Sequence, residues 1–192
     1  TEYADIDKVL SELRHGHSCL LLNENSAGGV TGFVVVAAEH CEAEHIAFMA
    51  RQARGLVCLA MTPQRCEELE LPLMVEGDDS LSPFTLSIEA ATGIDTGISA
   101  ADRARTVRVA VDASSQASDL VQPGHIFPIA AALGGVLTRT APAEAAMDLT
   151  TLAGLLPSAV FTEVLDNDGA VADADYLLGF ADQYQLVVGQ VS

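Results

Sequence analysis

Apolar residues recur along this chain in two patterns, and each pattern predicts a different element. Near the start Ile6, Val9, Leu10 and Leu13 recur at helical spacing, and Gly16 follows as a stop signal. Elsewhere short apolar or β-branched runs predict strands, because a strand that is buried on both faces needs no polar side chains. The predicted strands span residues 18–22, 33–38, 56–60, 84–88, 159–164 and 186–191.

Signals for helices lie between these runs. Thr62 and Pro63 pair a capping side chain with proline in the first turn. Ser99 and Asp102 have capping spacing for a helix that continues to about residue 110. Further helices are predicted over residues 41–51, 143–153 and 175–183. Because strands and helices mix without regular alternation, we predict an α+β fold, formed by one compact sheet-and-helix domain over residues 1–192.

The composition narrows the class of partner. The chain has 192 residues, of which 49% are hydrophobic, so it is long and apolar enough to bury a substantial core. Its 27 acidic and 9 basic residues give a net charge of −18, which argues against nucleic acid or an anionic membrane as partner. A small-molecule substrate that carries phosphate remains open, provided that a few arginines build a local basic pocket.

The four cysteines are widely spaced and form no C-x-x-C pair, so buried free thiols are expected rather than disulfides or zinc ligands. No apolar run approaches the roughly 20 residues of a membrane span. No secretory signal is expected from the residues that follow Thr1. The expectation is a soluble, cytoplasmic protein.

Three blocks in the second half of the chain stand out: TGISAADRARTV at 96–107, PGHIFP at 123–128 and GGVLTR at 134–139. In the central block the first proline presets φ, and the glycine lets the backbone approach another group closely. The second proline keeps His125 out of a helix. A histidine in such a fixed frame, placed after a Pro-Gly turn, is a candidate functional residue.

These blocks, in this order and at this spacing, resemble the 3,4-dihydroxy-2-butanone 4-phosphate synthase family. Members of that family belong to the riboflavin pathway and act on ribulose 5-phosphate. The resemblance covers nearly the whole chain, and it implies a sheet-and-helix domain that pairs as a homodimer. The alanine- and glycine-rich segment 130–135 would allow the two backbones to approach each other closely.

The resemblance also assigns site residues. His125 and Glu163 match catalytic positions of the family, and each has a structural alternative as a satisfied or ion-paired side chain. The residues matched to substrate binding are Arg139, Thr96, Ser99 and Cys58. Arginine suits bidentate contacts with anions, although Arg139 could equally form an ion pair. Cys58 could simply be packed in the core.

The chain departs from the family pattern at the two places that hold its magnesium. The family's acidic loop, D-D-E-D-R-E-N-E-G-D, reads N-E-N-S-A-G-G-V-T-G at residues 23–32, where only Glu24 remains acidic. The family's G-H-T-E-A becomes A-P-A-E-A, so Pro142 stands in the place of a metal-binding histidine. Since hard divalent cations prefer several oxygen ligands, we expect no metal cofactor.

These observations lead to three functional hypotheses. The first is a diverged lyase or isomerase of a specialised biosynthetic pathway, which acts on a sugar-like or sugar-phosphate substrate by metal-independent acid–base chemistry of His125 and Glu163. The second is a non-catalytic protein that binds a metabolite or pairs with another subunit. The third, placed last, is an authentic synthase that converts ribulose 5-phosphate to 3,4-dihydroxy-2-butanone 4-phosphate and formate.

Overall fold

The computed structural model describes residues 4–24, 29–75 and 83–191, and its centre is a mixed sheet of seven strands. The strands are β1 Cys19–Glu24, β2 Val30–Ala37, β3 Cys58–Met61, β4 Ile88–Ala90, β5 Leu120–Ala130, β6 Ala159–Glu163 and β7 Val187–Val191. Their order across the sheet is β4-β5-β3-β6-β2-β1-β7. The pairs β1–β7 and β3–β5 are parallel and the other neighbours are antiparallel. The predicted α+β fold is confirmed.

Helices cover both faces of this sheet. They are α1 Ile6–Arg14, α2 Ala43–Phe48, α3 Pro63–Glu68, α4 Ala100–Val111, α5 Pro142–Leu152 and α6 Ala174–Tyr184. The predicted helix over residues 41–51 is in fact α2 followed by a wider π-type turn, Met49–Ala53. Thr62 caps α3 by accepting a hydrogen bond from the Arg65 N–H at 3.1 Å, as its sequence position predicted.

Alternation along the strands divides the core into two layers. Val34 and Leu59 point to the face that is covered by α2, α4 and α6. Their neighbours Val35 and Cys58 point to the opposite face, which α1 and α5 cover. All four side chains are buried, which is why the strands read as unbroken apolar runs.

One predicted strand is displaced. The run 84–88 contains only isolated bridges at Phe84 and Thr85, and the regular strand β4 begins at its last residue. The apolar pattern therefore predicted an extended segment near the correct place, but not the residues that form the regular strand. The reason is that pairing with β5 is interrupted there.

The predicted Pro-Gly turn in PGHIFP is wrong, since β5 runs through the whole block. The ladder is nevertheless irregular: Ile88 of β4 pairs with Ile126, but Glu89 pairs with Val121. The intervening residues of β5, including His125, therefore leave the regular pairing.

The close approach expected of Gly124 is confirmed. A Cβ at this position would collide with the backbone of Ile88, and the Gly124 N–H donates to Ser87 Oγ at 3.1 Å. Glycine is thus required for β5 to pass β4 at this point.

No helix in the described ranges is long and apolar enough to cross a membrane. Residues 25–28, within the segment 23–32 that was matched to the family's acidic loop, lie outside the described residues. The extent of the domain over residues 1–192 stays a prediction.

Candidate active site

A cavity of about 430 Å³ opens on the sheet face that carries α5. Most of its wall is apolar, and it includes Phe33, Phe84 and Phe161. Two charged side chains, Arg139 and Glu163, also line it. The cavity thus combines an apolar wall with one cationic and one acidic group.

Strand register explains why two of the predicted site residues meet here. Cys58 of β3 pairs with Phe161 of β6, and Glu163 follows two positions later on the same strand. Side chains two apart on a strand share one face, so Cys58, Phe161 and Glu163 point into the same layer. The structure therefore brings Cys58 and Glu163 together around the cavity.

Burial shifts both groups toward their protonated forms. Desolvation raises the pKa of the half-buried Glu163 carboxyl. The pKa of the Cys58 thiol is raised to about 12, mainly by burial and to a smaller extent by the negative charge of Glu163. Cys58 is consequently a neutral wall of the cavity near pH 7, whereas Glu163 is suited to taking up and releasing a proton.

Arg139 reaches the cavity from the segment that precedes α5. Its Nη2 lies 2.6 Å from Oε1 of Glu144, a residue of α5 that is 0% exposed. The same oxygen accepts a hydrogen bond from the Ala132 N–H at 2.7 Å. The ion pair foreseen as the structural alternative for Arg139 is therefore present, and it is compatible with a place in the cavity wall.

His125 does not line this cavity. Its Nδ1 contacts Oε1 of Glu89 on the neighbouring strand β4. The Glu89 carboxylate lies where a Cβ on Gly97 would be, and the Cγ of Glu89 lies where a Cβ on Gly124 would be, so these glycines leave room for the side chain. His125 is thus held at the β4 edge of the sheet with its ring orientation fixed by a carboxylate.

Thr96 and Ser99 also lie apart from the cavity, in the approach to α4. Both are exposed. Ser99 is the N-cap of α4, and its Oγ accepts a hydrogen bond from the Asp102 N–H at 3.0 Å. In this chain Ser99 has a clear local role, and its predicted contact with substrate stays a prediction.

Sequence reasoning missed the two carboxylates that hold the predicted residues, Glu89 and Glu144. A signal existed for both, because each is a single acid within an apolar stretch, IEA for β4 and AEAAM for α5. An acid on a buried face requires a partner, so such an acid points to a cation or to donor groups close by.

Solved structures closely match this fold. A two-domain 3,4-dihydroxy-2-butanone 4-phosphate synthase from A. baumannii is 40% identical with a TM-score of 0.92, over 97% of this chain and 55% of that one. The synthase of Candida albicans is 31% identical with a TM-score of 0.91, over 99% of this chain and 95% of that one. A third synthase structure, 33% identical with a TM-score of 0.88, covers 98% of this chain and 93% of its own.

The third structure contradicts the prediction of no metal cofactor, because it is a complex with two magnesium ions. The described residues of this chain offer few ligands for such ions. No group of three or more His, Cys, Asp or Glu side chains among them is placed to hold a metal, and the described cavity wall supplies one carboxylate, Glu163. Magnesium prefers several oxygen ligands, so these side chains do not fit it by themselves.

Sequence comparison gives the same family. The family model for 3,4-dihydroxy-2-butanone 4-phosphate synthase matches residues 7–192. The synthase of Pseudomonas aeruginosa is 45% identical over 97% of this chain and 52% of its own length. That of Pectobacterium atrosepticum is 43% identical over 95% of this chain and 85% of its own.

The chain spans about half the length of the Pseudomonas relatives that it matches. Identity at this level across nearly the whole chain contradicts the leading hypothesis of a diverged, metal-independent enzyme, and it favours the synthase reaction that was placed last. The departures at Pro142 and in the acidic loop are local changes in a chain that matches the family over residues 7–192. This chain belongs to the 3,4-dihydroxy-2-butanone 4-phosphate synthase family.

Proposed function

We propose that this chain catalyses the synthase reaction, in which ribulose 5-phosphate gives 3,4-dihydroxy-2-butanone 4-phosphate and formate. The single observation that supports the proposal most strongly is the 45% identity to a curated synthase over 97% of the chain. The atoms of the two products add up to those of the substrate, so the reaction needs no oxidant or reductant. The side chains of the site must therefore transfer protons and bind the phosphate group of the substrate.

Glu163 is our candidate for the proton-transfer group of the cavity. Removing a proton from the carbon next to a carbonyl requires a base whose pKa is not far below neutrality. Desolvation raises the pKa of Glu163 in that direction, and the surrounding phenylalanines strengthen the effect by excluding water. In its protonated form the same carboxyl returns the proton to oxygen or carbon.

His125 is the second proton-transfer candidate, and its position relative to Glu163 supports this role. Cys58 of β3 pairs with Phe127 on one side and with Phe161 on the other. His125 and Glu163 each lie two positions from these partners, toward the same end of the sheet, so both belong to the same face. Two strand spacings, or roughly 10 Å, separate their backbones, a gap that a substrate-sized molecule spans.

Arg139 is the candidate for holding the phosphate. It lines the cavity wall, and 29% of its side chain is exposed despite the ion pair with Glu144. A guanidinium has five N–H donors, so one bond to a carboxylate leaves others for an anion. Cys58, as a neutral thiol, contributes shape rather than charge.

Hydrogen–deuterium exchange tests the first chemical step. Ribulose 5-phosphate is incubated with the protein and magnesium in heavy water, and deuterium entering next to the carbonyl is followed by NMR. We expect exchange with the wild type and a decrease of about 10²–10⁴-fold in Glu163→Gln, which is typical for loss of a general acid or base. Absence of exchange in the wild type would contradict the proposal.

The same proposal includes a homodimer. The segment 130–135, predicted to lie between chains, carries Leu133, which is 72% exposed, and Leu137 follows with 96% exposure. Leucines this exposed and this close together are typical of a surface that another chain covers. A second copy of the chain is the occupant that the family resemblance suggests.

A further inference from the structure

Two acidic side chains of α5 hold the segment that carries Arg139. Glu144 accepts the Ala132 N–H at 2.7 Å, and Asp148, one helical turn later, accepts the Val136 N–H at 2.9 Å. Both contacts reach back from the helix to the segment 131–141, which connects β5 to α5. The segment is therefore fixed to the helix near its start and near its middle.

The glycines of GGVLTR make this arrangement possible. Gly134 and Gly135 both have positive φ, +95° and +60°, a region that favours glycine. A Cβ on Gly135 would also collide with the carboxylate of Asp148. The backbone can pass this close to Asp148 only because position 135 has no side chain.

A third contact, between Glu144 and Arg139, links this segment to the cavity. Glu144 Oε1 receives both the Ala132 N–H and Nη2 of Arg139, at 2.7 and 2.6 Å. Since Glu144 is 0% exposed, its carboxylate has no freedom to follow a guanidinium that moves. The position of Arg139 in the cavity wall is thus set by the same buried oxygen that fixes the backbone of the segment.

We propose that Glu144, supported by Asp148, is a positioning residue that holds the Arg139 guanidinium in place to receive the phosphate of the substrate. This deepens the proposed function, since it rests on Arg139 binding that phosphate. Glu144 itself does not touch the ligand. It acts by removing the freedom of a long side chain before the anion arrives, so less ordering remains to oppose binding.

A purely electrostatic role predicts the opposite behaviour. A carboxylate next to an anion-binding arginine reduces the positive potential that the anion meets, so its removal should tighten binding. A positioning role predicts that a shorter side chain at position 144 weakens binding of the anion even when its negative charge is retained. The two roles therefore separate once charge and reach are changed independently.

Three substitutions make this separation. Glu144→Gln keeps the reach and an oxygen that can accept both contacts, but removes the charge. Glu144→Asp keeps the charge but withdraws the carboxylate by roughly one C–C bond, about 1.5 Å. Glu144→Ala removes both. Glu39→Gln is the matched control, because Glu39 also accepts a backbone N–H from a distant segment, that of Leu156.

The readout is binding of inorganic phosphate and of ribulose 5-phosphate, measured by calorimetry and NMR at fixed ionic strength, with Arg139→Ala as the reference for loss of the contact. Circular dichroism and the unfolding midpoint confirm that each variant is folded. We expect Glu144→Gln to bind at least as tightly as wild type, and Glu144→Asp and Glu144→Ala to bind about tenfold or more weakly, a loss typical of a displaced positioning contact. Glu39→Gln should bind as wild type does.

If Glu144→Ala does not fold, the Gln and Asp variants decide alone. Wild-type affinity in Glu144→Asp, or tighter binding in Glu144→Ala, would overturn the proposal, as would phosphate binding that does not depend on Arg139. A protein that shows the expected order of affinities but releases no formate would refute the synthase activity and leave the positioning role intact.

Discussion

Cys58 and Glu163 lie on adjacent strands and line one cavity, where the charge of Glu163 adds to burial in raising the pKa of the thiol to about 12. The pair shows how the site is built: the sheet supplies fixed positions, and its apolar layer sets the protonation states. A carboxyl in this environment exchanges a proton more readily near neutrality than one in water.

Burial of the thiols predicts a loss of stability at alkaline pH. Burial raises the pKa of Cys19, Cys41 and Cys58 to about 12 and that of Cys66 to about 11, from an ordinary 9.0. Because the folded pKa is raised, the folded state holds more protons than the unfolded state above about pH 9. The thiols therefore contribute full stability below that pH, and the contribution is lost as the pH rises from about 9 to 12.

The measurement is the free energy of unfolding by urea between pH 8 and pH 10.5. Each titrating thiol adds a slope of at most about −1.4 kcal/mol per pH unit. Cys19→Ala is compared with wild type to isolate the contribution of one thiol. We expect a shallower decline in the variant, and parallel curves would contradict the burial of Cys19.

Replacing Glu163 should separate stability from activity. Burial raises the pKa of this carboxyl in the folded state, so its contribution to stability is present below the unfolded pKa and is lost as the pH rises through the folded pKa. Glutamine at this position cannot ionise, so the Glu163→Gln variant does not lose this stability as the pH rises. At pH 7 we expect an unfolding free energy equal to or higher than that of wild type, by less than about 1 kcal/mol because the group keeps contact with solvent.

The difference should disappear near pH 4, where wild-type Glu163 is protonated. Unfolding midpoints at pH 4 and pH 7 check this, alongside the exchange rate with substrate. A variant that is destabilised at pH 7 would show that the Glu163 carboxylate is paired rather than desolvated.

The sequence predicted most of the fold because the sheet is buried on both faces. Runs such as residues 33–38 and 56–60 can form little else than buried strands, and β2 and β3 lie within a few residues of them. It misplaced β4 and read a turn into PGHIFP, because neither proline nor glycine reveals from local sequence that another strand lies alongside.

The sequence pattern pointed to several residues that line the cavity. It did not predict which side chains those residues contact. Register between strands that are distant in sequence brings Cys58 and Glu163 together, and the segment before α5 brings Arg139 to the same cavity. The sequence did not identify Glu144 as the partner of Arg139, because this ion pair depends on the backbone conformation of two glycines in the connecting segment. Ser99 was assigned to substrate, although its spacing to the next acid already indicated a cap.

Ser99→Ala should lower the free energy of unfolding by about 1 kcal/mol, because the Asp102 N–H at the start of α4 loses its acceptor. Ser99→Asp should restore most of this stability, since aspartate is an equally good N-cap. Denaturant unfolding of the three proteins checks the order. A rise of KM for ribulose 5-phosphate in both variants would instead favour the substrate contact predicted from the sequence.

Sedimentation at micromolar concentration should show a dimer for the wild type and a larger monomer fraction for Leu137→Asp. The reason is that a charge at a side chain with 96% exposure costs nothing in the monomer but must be desolvated in an interface. Leu152→Asp, at a leucine with 63% exposure on α5, serves as the control and should sediment as wild type does. A wild type that is monomeric throughout would remove the basis for the interface at 130–135.

Release of formate from ribulose 5-phosphate tests the central claim most directly. The purified protein, with magnesium supplied and titrated, is followed by ¹H and ³¹P NMR against a Glu163→Gln sample prepared in the same way. The account predicts formate and one new phosphate ester appearing in equal amounts, at a rate that falls by about 10²–10⁴-fold in the variant. No formate from the wild type at any magnesium concentration, or equal rates in the two proteins, would contradict it.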